Sequence, residues 1–457
     1  MSVTLDRQSV LTRFDQLLAE PDASEVELAL LGGRCVLTRF AQNEIHQNVE
    51  ESRIVAHART VVGRYDSARI AAMRTTDTSV NGLRSLIERG IELALELPPT
   101  PGFVGLPDHS DIPSDGVVRH DRQTASTGPA FRADQVELAV EHARRAGCHA
   151  AGYYRITEGS FSNYDQPGVF AIGNSWGLRQ CDIRTAVDLM VSVSTPAGGN
   201  GWAVDWGTRR SDVDARATGE RALEIARASE RPERLETGRY TVLLEPAAVA
   251  ELLGFVGPLF AAKAVQERRS VIASRSGGKL GSDLVTLTAN PFDPRVGGCR
   301  FDGEGLITQP VVLLENGWHR GLTVGHSEAD SLGRDANGYG PLQPDSSDSV
   351  PRNLVLSGGT GSVEELQARN PNCLRITRLW YTRYVDPRDA RVTGMTRDGF
   401  FEFRGGQLIR ALQNMRYNGS VLDMLSGVID MSDPIRIGDM AVPAIVTDAF
   451  HVQAAAQ

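Results

Sequence analysis

Residues 26–73, VELALLGGRCVLTRFAQNEIHQNVEESRIVAHARTVVGRYDSARIAAM, alternate apolar and polar positions and are punctuated by glycine and asparagine turn signals. Successive side chains of a strand point to opposite faces, so this pattern predicts a meander of antiparallel strands with one face turned inward. A sheet with one apolar face must be covered by a second layer. Two helical patterns flank the meander. MSVTLDRQSVLTRFDQLLAE places Leu11, Phe14, Leu17 and Leu18 at helical spacing, and LRSLIERGIELALEL does the same with Leu83, Leu86, Ile87, Ile91 and Leu95.

At 457 residues the chain exceeds what one ordinary core fills, so several domains are expected. PPTPGFVGLPDHSDIPSD, from Pro98, continues neither helix nor strand and reads as a linker. A second unit begins with the helical RADQVELAVEHARRAG, for which Asp134 is a plausible cap, and continues through strand-like runs separated by Gly, Asn and Asp turns. It ends with a helix that stops before Pro232. The last unit opens on the apolar stretch LLEPAAVAELLGFVGPLFAAKAV (243–265) and turns to strand, with the polar segment 333–353 as an exposed flap. The reading is therefore an α+β chain. It has an N-terminal α+β domain (1–110), a middle α+β domain (111–235) and a β-rich C-terminal domain (236–457), with curved antiparallel sheets and flanking helices in the first half.

The net charge of −9 and the absence of a basic block argue against a nucleic-acid surface. No run of eighteen apolar residues occurs, so no membrane-spanning helix is expected. The first twenty residues lack the basic start and apolar core of a signal peptide. Five scattered cysteines, without a CxxC pair, point to reduced thiols and a cytoplasmic setting.

Residues able to carry chemistry are sparse. No HExxH, HExxxH, GxSxG or GxxxxGK[ST] motif is present. His142 and His149 would share a helix face only if the helix persisted through Gly147. WHRGLTVGHSEAD brings His319, His326, Glu328 and Asp330 together on an expected strand and turn, either as ligands or as the polar lining of a turn or cleft. In FDGEG, Asp302 and Glu304 are paired carboxylates that an acid–base couple would need, or simply part of a glycine turn. In LWYTRYV, strand alternation places Trp380 and Tyr384 on one face and Tyr381 on the other, as a stacking platform or as core and rim.

The order of segments resembles the TldD/PmbA family over nearly the whole chain. The resemblance is carried by RFAQNEIHQNVEESRIVAHARTVVGRYDSARI, IGNSWGLRQCDIRTAVDLMVSVS, ETGRYTVLLEPAAVAELLGFVGPLFAAKAVQERRS, GGKLGSDLVTLTANPFDP, FDGEGL, LLENGWHRGL, LVLSGGTGSVEEL and ARVTGMTRDGFFEFRGGQLIRALQN. That family has zinc-peptidase members with HExxxH on a helix and a late cysteine ligand, and PmbA/TldE-like members that lack them and pair with a zinc subunit. Counting back from ERRS, the two histidine positions fall on Leu253 and Pro258 and the glutamate on Gly254, while the late cysteine region holds no cysteine. Leucine and proline side chains offer zinc no lone pair. The resemblance thus implies a metal-free subunit without its own cofactor, paired in a heterodimer with a TldD-like zinc subunit and acting on unfolded or modified peptide. A self-sufficient amide-cleaving enzyme of peptide or natural-product maturation, and a regulatory binding protein, are the alternatives. Pro258 is expected to bend or shorten the helix.

Overall fold

A computed structural model describes residues 5–18, 24–108, 110–161, 167–345 and 347–453. The predicted meander is there. Strands Ser24–Ala41, Glu44–Val62 and Arg69–Thr75 pair antiparallel in sequence order. The first of them also pairs with His149–Ser160, which continues to Arg184–Ser194 and Asn200–Gly207, while Val169–Asn174 and Arg179–Cys181 attach at the side. One eight-stranded sheet therefore runs through both segments 1–110 and 111–235.

Alternation along the strands divides this sheet into two unlike faces. Val26, Leu28, Leu30, Ala56 and Ala58 pack on Val10, Phe14, Leu83 and Leu86 of the helices Arg7–Leu18 and Val80–Glu96. Leu95 does not join them; it is 50% exposed. Further along, Tyr154, Ile156, Val187 and Leu189 pack on the helices Pro129–Arg145 and Ala215–Ala228. The first of these begins at Pro129 behind Gly128, so Asp134 lies inside the helix and caps nothing. The opposite face carries Glu27, Arg59, Arg155 and Asp188 and looks toward the second half of the chain.

That half holds two sheets, a six-stranded one and a seven-stranded one, antiparallel except for the pairings of Leu354–Ser357 with Met440–Val442 and of Gly238–Leu244 with Cys373–Asp386. Their shared core includes Val242, Leu253, Leu287, Leu356, Ile376, Phe400 and Phe450. The segment from Pro98 is irregular but docked: Leu106 N–H donates to Glu25, and the carbonyls of Pro107 and Ser110 accept from Asn174 and Gln180. Residues 333–345 and 347–353 are likewise only partly exposed. Tyr339 is buried, and its hydroxyl meets the carbonyls of Ala289 and Gln309.

The 243–265 stretch is not one helix. Leu243 and Leu244 complete a strand, Pro246–Val256 is α-helical, Gly257–Phe260 tightens to a 3-10 turn around Pro258, and Ala262–Gln266 resumes. Proline has no N–H to give the ladder, and the α-helix stops two residues before it. Among the described residues no helix is long and apolar enough to cross a membrane.

Candidate functional site

FDGEG forms a turn rather than a strand, and its two carboxylates are buried where three loops meet. Asp302 Oδ1 accepts the N–H groups of Glu304 (2.9 Å) and Leu306 (3.0 Å), and Oδ2 accepts that of Gly340 (2.7 Å). Glu304 reaches the other way, its oxygens accepting the N–H of His326 (2.6 Å) and Ser327 (3.0 Å). HSEAD, expected as strand and turn, is the helix His326–Leu332, and Glu304 satisfies its free N-terminal amides. Glu328 closes the same helix start on Gly325 N–H at 3.2 Å, the signal in the sequence being a glutamate three residues after a glycine. The His326 ring nitrogen Nε2 donates to the carbonyl of Gly105 at 3.2 Å, tying the first half of the chain to this corner.

His326, Glu328, Asp302 and Glu304 are thus brought together, but as a clamp. Each oxygen of the Asp302–Glu304 pair is occupied by a backbone amide, so the pair's observed work is to hold these loops together, although Asp302 also borders a cavity. Burial and the neighbouring Glu304 raise Asp302 from an ordinary 3.8 to about 7, against Arg352 and the amides, which favour the anion. Burial raises Glu328 as well.

The remaining expected residues lie elsewhere. His319 is buried against Phe260; its Nδ1 accepts Gly277 N–H at 3.0 Å and its Nε2 donates to Gly321 at 3.2 Å, so both nitrogens are committed. Burial lowers its pKa, keeping the ring neutral. Asp330 is exposed on its helix. Leu253 is 1% exposed in the core, Pro258 is half-buried, and Gly254 between them faces outward. Trp380 and Tyr384 do not share a face. The strand is irregular between Trp380 and Arg383, and Tyr381 takes a left-handed φ of 59°. This extra step turns Trp380 and Tyr381 outward together, while Tyr384 stacks edge-on to Phe255 at 5.0 Å. The helix carrying His142 ends at Arg145, Gly147 breaks away and His149 starts a strand, so those two histidines share no helix face.

Sequence inspection missed the polar inner face of the large sheet. Glu27 and Arg59 are direct cross-strand partners at 2.9 Å, both buried, and Arg155 and Asp188 repeat the arrangement at 2.7 Å. Burial raises Glu27 against the pull of Arg59, with Glu304 across the junction adding to the rise. His57 beside them falls to about 4, through burial and then the charges of Arg74 and Arg59. A charged residue at Glu27, inside the apolar run VELALL, was the available signal. Opposite this face, loops of the second half leave a groove with a cavity of about 460 Å³ lined by Leu31, Arg74, Arg184, Asp302, Arg352 and Asp439 among others. Among the described residues, no three His, Cys, Asp or Glu side chains converge as a metal site.

Taken together, an inner polar sheet face closed by a two-sheet C-terminal unit defines a fold class with solved examples. TldE from Thermococcus kodakarensis superposes with a TM-score of 0.82 at 18% identity, covering 98% of this chain and all (100%) of that one. A Thermotoga maritima protein described as a modulator of a DNA gyrase superposes at 0.79, also at 18% identity, covering 96% and 99%. Residues 129–230 match the PmbA/TldA metallopeptidase central domain, and residues 237–454 match the PmbA/TldA metallopeptidase C-terminal domain. The chain belongs to the PmbA/TldA metallopeptidase family. A metalloprotease of Methanothermobacter thermautotrophicus is 26% identical over 64% of this chain, and an uncharacterised Methanocaldococcus jannaschii protein is 23% identical over 52%. The matched regions span 65% and 56% of those two relatives.

Proposed function

We propose that this chain is a PmbA/TldE-like subunit that does not itself cut. In this reading it pairs with a zinc-bearing TldD-like subunit in a heterodimeric peptidase and shapes the space that receives unfolded or modified peptide. The observation that carries the reading is the side-chain chemistry of the helix Pro246–Val256 and the turn after it. At the positions where the family resemblance puts zinc ligands and general base stand Leu253, Pro258 and Gly254. Leu253 is locked in an apolar core, and neither it nor Pro258 has a donor atom. Zinc does not fit here, and no step through it is assigned to this chain. Cys373, the last cysteine, is also committed: it is buried in a strand beside Leu243, Leu366 and Val446 and accepts from Gln367 Nε2 at 3.4 Å. The resemblance to a solved TldE structure is in keeping with a two-subunit arrangement.

The test expresses this chain alone and together with an HExxxH-bearing relative from the same source. The expected result is a stable complex, zinc confined to the partner, and cleavage of an unfolded peptide only by the complex. One equivalent of zinc and full cleavage in the isolated chain would overturn the reading.

A further inference from the structure

The groove between the large sheet and the C-terminal unit continues past the 460 Å³ cavity. Phe161, Arg184 and Asp439 are shared with a small neighbouring pocket of about 60 Å³, and Trp206 and Arg436 link that pocket to a third space of about 710 Å³. The third space is bordered by two sheet margins. Asn200–Gly207 is the last strand of the eight-stranded sheet and lines this space with Trp206 and Gly207; Ile435–Ile437 is the last strand of the six-stranded one and lines it with Ile435 and Arg436. Sheet margins carry backbone groups without a strand partner, and an extended chain can add to them.

Enclosed arginines elsewhere, such as Arg59, Arg155 and Arg375, are ion-paired with carboxylates, whereas Arg184, Arg352 and Arg436 form no ion pair among the described residues. Arg184 makes one hydrogen bond, from Nη2 to Ser160 Oγ at 2.9 Å, and its Nε is closed to water with no acceptor. Arg436 donates only to neutral oxygens, the Gly438 carbonyl at 3.0 Å and Thr208 Oγ1 at 2.8 Å. Burial and then the nearby positive charge of Arg184 lower its pKa. Arg352 lines the 460 Å³ cavity together with Asp302, on which its charge acts. The carboxylates close by are largely spoken for: Asp188 by Arg155, and Asp212 by the amides of Thr208 and Arg209. Asp439 alone faces both cavities with these guanidiniums. Asp212 and Asp439 oppose the fall at Arg436 without cancelling it, and two guanidiniums so close in an enclosed pocket favour capture of an anion with planar, two-oxygen geometry.

We propose that this groove holds the C-terminal end of an extended peptide, its main chain passing the strand ends at Trp206–Gly207 and Ile435–Arg436 and its terminal carboxylate held between Arg184 and Arg436. The inference rests on the reading that this chain handles peptide. One carboxylate against the paired guanidiniums suits a monoanion better than a phosphate dianion, which Asp439 would repel. Leu31, Val55 and Val169 give the adjoining cavity apolar walls for a side chain near that terminus.

The experiment uses the full chain and a fluorescein-labelled unfolded decapeptide, made as the free acid and as the C-terminal amide, with binding followed by anisotropy. The free acid should bind at least about tenfold more tightly. Arg184→Gln with Arg436→Gln should bring the acid to the level of the amide, and the exposed control Arg145→Gln should keep the preference. Thermal unfolding separates binding from packing: relieving the mutual repulsion should leave the melting temperature of Arg184→Gln unchanged or higher. Should the double variant fail to fold, Arg184→Gln alone gives the answer, because it surrenders a single hydrogen bond. Equal binding of acid and amide, or a preference that survives both substitutions, would overturn the carboxylate site and leave the peptide reading standing. Displacement by inorganic phosphate at equal charge concentration to acetate would mark an unspecialised anion site and also overturn it. If neither peptide binds while the complex with the zinc partner still cleaves peptide, the groove is not the peptide's place and the inference fails alone.

Discussion

Replacing Leu253 and Pro258 with histidine together writes the missing ligand pair back into the chain, and the structure sets what should follow. Leu253 is fully enclosed, so exchanging it for imidazole forfeits about 1.5–3 kcal/mol of apolar burial. Enclosing an imidazole without a hydrogen-bond partner adds about 1–3 kcal/mol. Pro258→His frees the 3-10 turn and loosens the unfolded chain, an effect of under about 1 kcal/mol. The sum is a loss of about 2.5–7 kcal/mol from the C-terminal unit, equivalent to a fall in its melting temperature on the order of 10–20 °C. Gly254 supplies no base, and Cys373 is enclosed in a separate cluster, so a third protein ligand is missing. Differential scanning calorimetry and metal analysis after gel filtration should therefore find a destabilised protein with well under one equivalent of zinc. A double variant of undiminished stability carrying stoichiometric zinc would refute the reasoning, because it would mean that the helix still presents both positions to a common open site.

Gly340 lies where a Cβ would come within 1.9 Å of Glu304 Oε2, so Gly340→Ala should push the carboxylate off the amides of His326 and Ser327. Steric strain of about 1–3 kcal/mol and the loss of about one charge-assisted bond, about 1.5–3 kcal/mol, give an expected loss of about 2.5–6 kcal/mol, read by denaturant unfolding; wild-type stability would show that the clamp yields freely. The pH profile carries two opposed slopes. His57 is lowered from 6.5 to about 4, so between those values the unfolded chain binds the extra proton and stability falls with acidification, by about 3 kcal/mol. Asp302 is raised from 3.8 to about 7, so its contribution is complete below pH 3.8 and is lost as the pH climbs through 7, by at most about 4 kcal/mol. His57→Gln should flatten the acid limb and Asp302→Asn the neutral limb of urea-denaturation midpoints; parallel profiles for the two variants would contradict both assignments.

Periodicity and punctuation alone specified much of this molecule. The meander of 26–73, the helices flanking it, the late strands and the mixed α+β character all follow from local pattern, because alternation and helical spacing are properties of neighbours in sequence. The identity of the residues at 253, 254 and 258 is equally a matter of sequence, and no folding can give leucine or proline a lone pair. Tertiary structure decided what the polar residues are for. Asp302 and Glu304 look like a catalytic pair until Gly340, His326 and Ser327, distant in the chain, arrive with their amides. Tyr384 parts from Trp380 because an irregular step at Tyr381 resets the alternation, and the strand partner, not the strand itself, fixes that step. Arg184 and Arg436, 252 positions apart, become neighbours only when the two halves close on each other. Local pattern sets which face of an element is apolar; which polar groups meet across a groove depends on contacts between distant segments, and those are made only in the folded chain.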